Sequence, residues 1–529
     1  MTQTLTQQAR ELRFLHADGS GMGASDVSPF FRLVSLSLAR CGLHQLFTSF
    51  TLHNLRNLSL DFNRLTEVHI KHLSFLPKLR HLSLAGNPLT SVFENNADVV
   101  WDNLYSLDLS LIKMRRFDLK RLKPFPNLQN LNLHDCGVEE FGHDDSEVLP
   151  SGLRRLDVRG CPLTHFPYRL LRGLDSLETV QADNYKLCCS DILPLGFNPA
   201  ACSAPSDEVS SCRNLLRSHV YRVSLGVMAV LTLTGNLAVF VKRAVVGSVT
   251  SGFHVFTLML CVSDWLMGAY LAVIGVADRL YLDSYLRHDV AWRTGNVCAA
   301  AGFLCTASTE ASALFVCLIT ADRLLVLLFP FSRLRFGRKT GALAAVAVWL
   351  LVCVLAAVPL LPATRHWGFY SHNAICMPLP ITRRDFPGHR YAFGLFIVLN
   401  LALFVFIAVG QLLIYLSVRK NSLSMAESLA ASSPRDQRDQ RLARRLFTVV
   451  MSDFLCWFPI GLLGLLSKLD VAVSGEVNVA MAIFVLPVNS AINPFLYTVN
   501  KLLEKRRLER ERRFMDIITA RVKNQAAQI

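Results

Sequence analysis

The stretch Leu55–Asn63 reads LRNLSLDFN, and Leu79–Asn87, 24 residues further on, reads LRHLSLAGN. Both have leucine at the first, fourth and sixth positions and asparagine at the ninth. Copies of this pattern, some with cysteine or no polar residue at the ninth position, begin at Leu33, Leu55, Leu79, Leu104, Leu128, Leu153 and Leu177. Their starts lie 22 to 25 residues apart, and this regularity predicts a solenoid whose stacked units bury their leucines together.

This period is that of leucine-rich repeats, in which each unit stacks a short strand on its neighbour. We therefore expect an α/β horseshoe over residues 1–187, with a weak earlier copy beginning at Leu12. At the ninth position the chain turns off the strand. Asn63 and Asn87 are therefore expected to hydrogen-bond to loop backbone.

Strand residues between the leucines should point to the concave face, because side chains alternate along a strand. Polar residues occupy this face: Asp108, Asn132 and Asp157 stand at equivalent positions, and Asp61 and Asp135 stand slightly further along their repeats. An acidic stripe of this kind predicts binding of a basic peptide or protein. The alternative is that these residues only solubilise the face.

Seven runs of about 19 to 28 mostly apolar residues come next in the chain, each long enough to cross a hydrocarbon core of about 30 Å as a helix. In chain order, spans 1 to 7 are predicted at 223–241, 255–277, 297–320, 341–361, 391–418, 446–466 and 477–499. They predict a seven-transmembrane helical domain over residues 220–499. The tail, residues 500–529, contains a basic run that predicts an amphipathic interfacial helix.

Composition agrees with a membrane protein, since 52% of the 529 residues are hydrophobic and 18% are charged. This excludes a disordered chain and an ordinary soluble one. The net charge of +15 could also indicate nucleic acid, but the membrane interpretation explains it without such a partner. The loops after spans 1, 3 and 5 hold two, four and seven Lys or Arg residues, with Arg323 counted as part of span 3, and the tail holds nine. This bias places the repeats outside the cell and the C-terminus in the cytosol at the plasma membrane.

Four cysteines, at positions 188, 189, 202 and 212, cluster just before span 1. They predict an oxidised extracellular hinge over residues 188–219, and the sequence leaves open the three ways of pairing Cys188, Cys189, Cys202 and Cys212. The stretch Met1–Ala17 is polar and has no apolar core of a signal peptide. We therefore expect either that the natural amino terminus begins further upstream or that the chain is a truncated isoform.

Ionisable residues inside the spans are informative, because each costs about 2.5–3.5 kcal/mol at a helix centre. Asp264, Glu310 and Asp453 fall mid-span, and Asp322-Arg323 closes span 3. No phosphate-binding glycine loop, metal-spaced His and Cys set or nucleophile triad stands out, so the sequence predicts a protein that is not an enzyme.

These positions resemble the motif set of rhodopsin-like G-protein-coupled receptors, in order and at the right spacing. The matching residues are Gly235-Asn236, Leu260 and Asp264, Trp292, Gly295 and Cys298, Asp322-Arg323, Trp349, Cys456-Trp457-Phe458-Pro459 and Asn493-Pro494-Phe495-Leu496-Tyr497. Repeats, a Cys188-Cys189 hinge, Glu310, Asp453 and a proline-free span 5 with Asn400 resemble the receptors that contain leucine-rich repeats. The stretch from Ser206 to Leu216 is most similar to the relaxin family peptide receptors.

The resemblance implies specific residue roles. No cofactor is required, but an allosteric sodium ion is implied in a cavity formed by Asp264, Ser312, Asn489 and Asn493. Cys298 and Cys376 are implied to form a disulfide at the outer end of span 3. The implied activation and coupling residues are Asp322, Arg323, Asp439, Trp457, Pro459, Asn493, Pro494 and Tyr497.

The function implied is capture of a relaxin-like or insulin-like peptide hormone by the repeats, followed by activation of a heterotrimeric G protein. Two alternatives remain: a non-signalling binding or adhesion protein anchored by a receptor-like bundle, and a glycoprotein-hormone receptor. Leu324 and Gln411 stand where similar receptors have an aromatic residue and a tyrosine. These two departures leave coupling efficiency open.

Overall fold

The computed structural model describes residues 12–22, 24–27, 30–45, 51–93, 100–141, 150–163, 166, 170–207, 209–246, 251–329, 335–377, 387–427, 458–466 and 475–495. These residues divide into two compact units, which we call the repeat unit and the helical unit, and the boundary falls between residues 207 and 208. The boundary lies inside the segment that the sequence predicts as a hinge.

The repeat unit is built on a parallel sheet that has nine strands within the described residues. Their bounds are β1 Phe14–His16, β2 Ser35–Ser37, β3 Asn57–Ser59, β4 His81–Ser83, β5 Ser106–Asp108, β6 Asn130–Asn132, β7 Arg155–Val158, β8 Thr179–Ala182 and β9 Cys202–Ser203. Each strand pairs with the next along the chain, and the leucines stay in register, as in Leu58 opposite Leu82. The weak copy at Leu12 forms β1, and β9 extends the sheet into the predicted hinge.

Side-chain alternation explains the sheet. The central residue of a strand, such as Leu58 or Leu82, is buried, whereas its neighbours face solvent. The ninth-position asparagines are also buried: Asn87 Nδ2 donates to the carbonyl oxygens of Leu60 and Leu84, both at 2.9 Å, and its Oδ1 accepts from Leu65 N at 3.1 Å. Asn63 bonds in the same way one repeat earlier.

Two later repeats have cysteine at this position, and Cys136 and Cys161 form a disulfide between neighbouring repeats. This bond was not predicted from the sequence. The convex side of the described repeats is formed by 3-10 turns at Ile70–Phe75 and Leu119–Leu122 and by two-stranded sheets such as Glu67–Val68 with Ser91–Val92. A repeat of about 24 residues leaves little chain for a full α-helix on this side.

The helical unit contains, within the described residues, five helices long and apolar enough to cross a membrane. Spans 1 to 4 are His219–Val241, Gly252–Leu280, Asn296–Leu328 and Arg338–Ala357, and a short helix, Tyr285–Arg293, joins spans 2 and 3. Residues 458–466 of span 6 are helical. Span 7 begins with Gly475–Ala480 and continues through a shorter apolar helix, Met481–Phe495.

Span 5 illustrates how the sequence sets local geometry. It runs from His389 through a π-helical turn, Gly394–Leu399, into the helix Asn400–Glu427. A π-helical turn inserts an extra residue and rotates the helix beyond it, and such turns are frequent at functional positions. Asn400, the first residue after this turn, is buried against span 3.

Candidate functional site

A buried polar cluster joins spans 2, 3 and 7 around Asp264, which is fully buried in the middle of span 2. Asp264 Oδ1 accepts hydrogen bonds from Ser490 Oγ at 2.9 Å and Ser312 Oγ at 3.3 Å, and Oδ2 accepts from Asn493 Nδ2 at 2.8 Å. Asn236 on span 1 donates to the Ser490 carbonyl oxygen at 3.0 Å. The cluster therefore ties four spans together.

The structure brings together three of the four residues named for the cation cavity: Asp264, Ser312 and Asn493. Asn489 is buried nearby in the chain, but its neighbour Ser490 makes the contact with Asp264. Ser490 was not predicted from the sequence, and Asn236 was predicted only as part of a motif. The adjacent Asn-Ser pair carried a usable signal, since consecutive residues of a helix point about 100° apart and only one can face Asp264.

The chemistry of this cluster fits a hard monovalent cation. The cluster offers carboxylate, hydroxyl and amide oxygens, which are the ligands that hard cations prefer. The Oδ1 atoms of Asn236, Asn489 and Asn493 are buried and have no hydrogen-bond partner within the described part of the chain. A buried oxygen without a donor is costly, and a cation or water in the cluster would satisfy it.

At the end of span 3, Arg323 Nη2 lies 3.1 Å from Asp322 Oδ2. Of the other predicted switch residues, Pro459 and Pro494 are on spans 6 and 7, and Cβ of Gly235, if present, would lie 3.0 Å from Pro494. Glycine thus lets spans 1 and 7 approach. Asp439, Trp457 and Tyr497 lie outside the described residues.

Two further polar contacts join spans 3 and 5. Glu310, fully buried, accepts a hydrogen bond from Asn400 Nδ2 at 3.0 Å. Nearer the Arg323 end of span 3, Gln411 Nε2 donates to Thr320 Oγ1 at 3.4 Å. Gln411 thus holds spans 3 and 5 together through its amide.

The opposite end of the helical unit is closed by the loop before span 5. Cys298 and Cys376 form a disulfide, and Ile375 and Met377 beside Cys376 are buried. Two backbone carbonyls of this loop accept hydrogen bonds at 2.8 Å: Ile375 O from Tyr270 Oη on span 2, and Ala374 O from Trp292 Nε1 on the short helix Tyr285–Arg293.

A pair of buried ion pairs at this end was not predicted from the sequence. Asp278 is fully buried; its carboxylate pairs with Arg222 and accepts from Leu216 N at 2.9 Å. Arg293 Nε donates to Asp289 Oδ1 at 2.7 Å. Asp278 fastens the segment before span 1 to span 2. The Arg293–Asp289 pair lies within the short helix Tyr285–Arg293, and Arg293 Nη1 also donates to His372 O in the loop before span 5 at 3.1 Å.

In the repeat unit most of the predicted acidic residues bond to their own solenoid. Asp61 accepts from Ser59 Oγ, Ser83 Oγ and Ala85 N. Asp108 accepts from Ser110 N and from Asn132 Nδ2, both at 2.9 Å. The stripe is therefore less available to a ligand than the sequence pattern predicts.

Asp157 and Asp135 differ in exposure. Asp157 Oδ2 lies 2.6 Å from Arg159 Nη2, and the Asp157 side chain is 21% exposed. Burial tends to raise the pKa of the Asp157 carboxyl, but hydrogen bonds from the Arg159 side chain and backbone outweigh it, so its pKa is lowered. The Asp135 side chain is 51% exposed, with His134 Nε2 3.2 Å from its carboxylate.

The hinge cysteines are also oxidised. Cys188 forms a disulfide with Cys202 within the repeat unit, and Cys189 and Cys212 are disulfide-bonded as well. The structure thus supplies a pairing that the sequence left open.

Comparison with known families defines the class of protein. Residues 235–497 match the seven-transmembrane receptors of the rhodopsin family. This stretch runs from Gly235 to Tyr497 and contains the Asp264 cluster and the Asp322-Arg323 pair. The helical unit is thus a receptor bundle of the rhodopsin family.

Individual relatives narrow the class. The chain is 38% identical over 63% of its length to G-protein coupled receptor GRL101 of Lymnaea stagnalis, covering 29% of that protein. It is 30% identical over 64% of its length to relaxin receptor 2 of Canis lupus familiaris and 31% identical over 58% to relaxin receptor 1 of Homo sapiens, covering 45% and 40% of those proteins. The match thus spans less than half of each relative.

The chain is therefore a leucine-rich-repeat-containing G-protein-coupled receptor, similar to the relaxin receptors. The predicted fold class, a leucine-rich-repeat solenoid followed by a rhodopsin-like seven-transmembrane bundle, is confirmed. As a member of this class it is a multi-pass protein of the plasma membrane.

Proposed function

We propose that this receptor captures a relaxin-like or insulin-like peptide hormone with its repeats and activates a heterotrimeric G protein through its helical unit. The ligand class is supported by the relaxin receptors among its relatives. The Asp264 cluster supports signalling, and it is the observation that carries the proposal.

Asp264 supports signalling because its position is energetically costly. A carboxylate in the middle of a span costs about 2.5–3.5 kcal/mol, and an anchor for a binding protein gains nothing from it. Here the cost serves to bond span 2 to spans 3 and 7 through Ser312, Ser490 and Asn493. Moving span 7 against span 2 breaks its bonds to Asp264 together, which makes the cluster an element with two alternative arrangements.

Sodium is proposed as an allosteric ligand of the resting arrangement. Asp264, Ser312 and Asn493 would hold it, with Asn489 contributing its buried amide oxygen. The ion would supply positive charge to a buried carboxylate and favour the inactive packing. Raising sodium at constant ionic strength should lower basal signalling, and Asp264→Asn should remove this sodium dependence.

The orientation proposed places the repeats outside the cell and the C-terminus in the cytosol. Disulfides persist in oxidising compartments, and the described ones lie in the repeats, in the hinge and at the end of the helical unit opposite Arg323. Arg323, at the cytoplasmic end in this orientation, would be released from Asp322 on activation and turn to the G protein.

The proposed hormone contacts are on the concave face. Asp135 is the strongest candidate, because half of its side chain is exposed. A basic hormone side chain can pair with Asp135 without breaking a bond that the solenoid needs. The Asp108–Asn132 pair on β5 and β6 offers a second polar contact.

The test is G-protein activation in cells that express this chain behind an added signal peptide, challenged with relaxin-like and insulin-like peptides. A peptide-dependent signal that Arg323→Ala removes, at equal surface expression, would support the proposal. Binding of peptide without any signal would instead favour the non-signalling binding protein. Absence of binding and of signal would contradict the proposed ligand class.

A further inference from the structure

The coupling arginine has a contact that its ion pair does not account for. The guanidinium carbon of Arg323 lies 4.1 Å from the centroid of the Phe253 ring. A cation over the face of an aromatic ring is attracted by the negative charge of that face, and the attraction grows when water is excluded. The Arg323 side chain is 16% exposed, so the contact is largely dry.

The ion pair with Asp322 and the ring contact with Phe253 differ in how they respond to movement of the spans. Asp322 precedes Arg323 on span 3 and moves with it, so their ion pair is insensitive to movement of one span against another. Phe253 is on span 2, as the second residue of the helix Gly252–Leu280. The ring contact therefore depends on how spans 2 and 3 are placed.

Backbone contacts with the segment before span 4 hold the turn that precedes Phe253. Gly252 N donates to Phe336 O at 2.8 Å, and an isolated bridge pairs Ser251 with Gly337 at the start of span 4. A Cβ on Gly341 would lie 2.6 Å from Gly252 Cα, so span 4 packs directly on this turn. The ring of Phe253 is thus carried by a backbone anchored to a neighbouring span.

From this geometry we propose that Phe253 is a positioning residue for Arg323, which holds the guanidinium in its resting place through a cation–π contact. The inference rests on the proposed coupling role of Arg323. Loss of the ring should hold Arg323 less firmly and raise signalling without ligand. Removing a contact of this kind should raise basal activity about three- to tenfold.

The decisive experiment replaces Phe253 in the full chain with phenylalanines carrying one, two and three fluorines. Fluorine withdraws electron density from the ring face and changes the ring's volume little, so it weakens the cation–π contact in steps. Basal G-protein activation per surface receptor should rise with each fluorine. Phe253→Leu should give the largest rise. Phe253→Trp, which keeps a ring face, should leave basal activation at the wild-type level.

Phe256 is the matched control, because it is three residues further along the same helix, is fully buried and packs edge-on against Phe336 at 5.3 Å. The same fluorination at Phe256 should leave basal activity unchanged. Equal rises at both positions, or no rise at Phe253 while Asp322→Asn does raise basal activity, would overturn the proposal.

A second readout separates this inference from the proposed function. If the chain and its Asp322→Asn variant never activate a G protein, the signalling proposal fails, and the midpoint of heat unfolding in detergent decides the contact by itself. A stepwise fall in the midpoint with fluorination at Phe253, absent in an Arg323→Gln background, would support the contact. An unchanged midpoint would overturn it.

Discussion

In the repeat unit Asp61 accepts hydrogen bonds from Ser59, Ser83 and the backbone of Ala85, all on its own repeat or the next. In the helical unit Asp264 accepts from three side chains on two other spans, and the chain distances are 48 to 229 residues. The first arrangement recurs along the solenoid with small variations. The second leaves nearby amide oxygens without donors among the described residues. A carboxylate whose hydrogen-bond donors are all in neighbouring repeats only stabilises the fold. One whose donors are on different helices loses its hydrogen bonds when those helices move.

The largest effect is expected from Asp264→Ala, because it leaves Ser312, Ser490 and Asn493 without their acceptor. Each buried group left unpaired costs about 1–3 kcal/mol, so the free energy of unfolding should fall by about 3 kcal/mol or more. The midpoint of heat unfolding of purified receptor in detergent measures this. Asp264→Asn keeps one acceptor oxygen and should lose less; equal midpoints for wild type and Asp264→Ala would refute the role of the cluster.

In the repeat unit the counterpart is Asn87→Ala. It removes two donated bonds and one accepted bond to buried backbone, so local stability should fall by about 2–3 kcal/mol. Hydrogen–deuterium exchange of peptides from repeats 55–63 and 79–87 should speed up by roughly 30-fold or more, while peptides of span 2 should be unaffected. Slower or unchanged exchange in these repeats would show that the asparagine ladder is dispensable.

The same contrast explains what the sequence could predict. A period of 22 to 25 residues predicted the strands, their burial and the asparagine ladder, because each repeat only contacts its neighbours. The Cys136–Cys161 bond was not predicted, because a cysteine at the ninth position also fits the ladder as a small polar residue. The structure brings the two Cα atoms to 5.1 Å from each other.

In the helical unit the resemblance implied a shared cavity for Asp264, Ser312, Asn489 and Asn493, and the structure brings three of these residues into contact. It implied neither Ser490 nor the Arg222–Asp278 pair. Arg222 and Asp278 are 56 residues apart and belong to no local pattern. Their pairing depends on how spans 1 and 2 are placed, and that placement is not readable from periodicity. The contact between the Phe253 ring and Arg323 was not predicted for the same reason, because it depends on how spans 2 and 3 are placed.

Asp135→Ala and Asp61→Ala test which carboxylates of the repeat unit are available to a ligand. Asp135→Ala should weaken hormone binding about tenfold, as expected for loss of one charged contact of roughly 1.4 kcal/mol, with little change in exchange of the repeats. Asp61→Ala should do the opposite, since its carboxylate is occupied by the solenoid. Competition binding of labelled peptide and hydrogen exchange on the same variants measure both. Equal loss of affinity in the two variants would place the hormone on the whole acidic stripe.

The smallest change in stability is expected when the pH is lowered through the pKa of Asp157. Its pKa is lowered in the folded chain, so its contribution to stability is fully present above the unfolded value near 4 and is lost as pH falls through the lower folded value. Because Arg159 is exposed, solvent screens the pair, and its contribution to stability is small. Exchange of the peptide containing Asp157, corrected for the intrinsic pH dependence, should be slower in the wild type than in Asp157→Asn between about pH 5 and 7. The difference should vanish once the pH falls below the lowered pKa of the folded chain. A difference that persists in acid would mean that Asp157 acts through the shape of its backbone bond to Arg159 N and not through its charge.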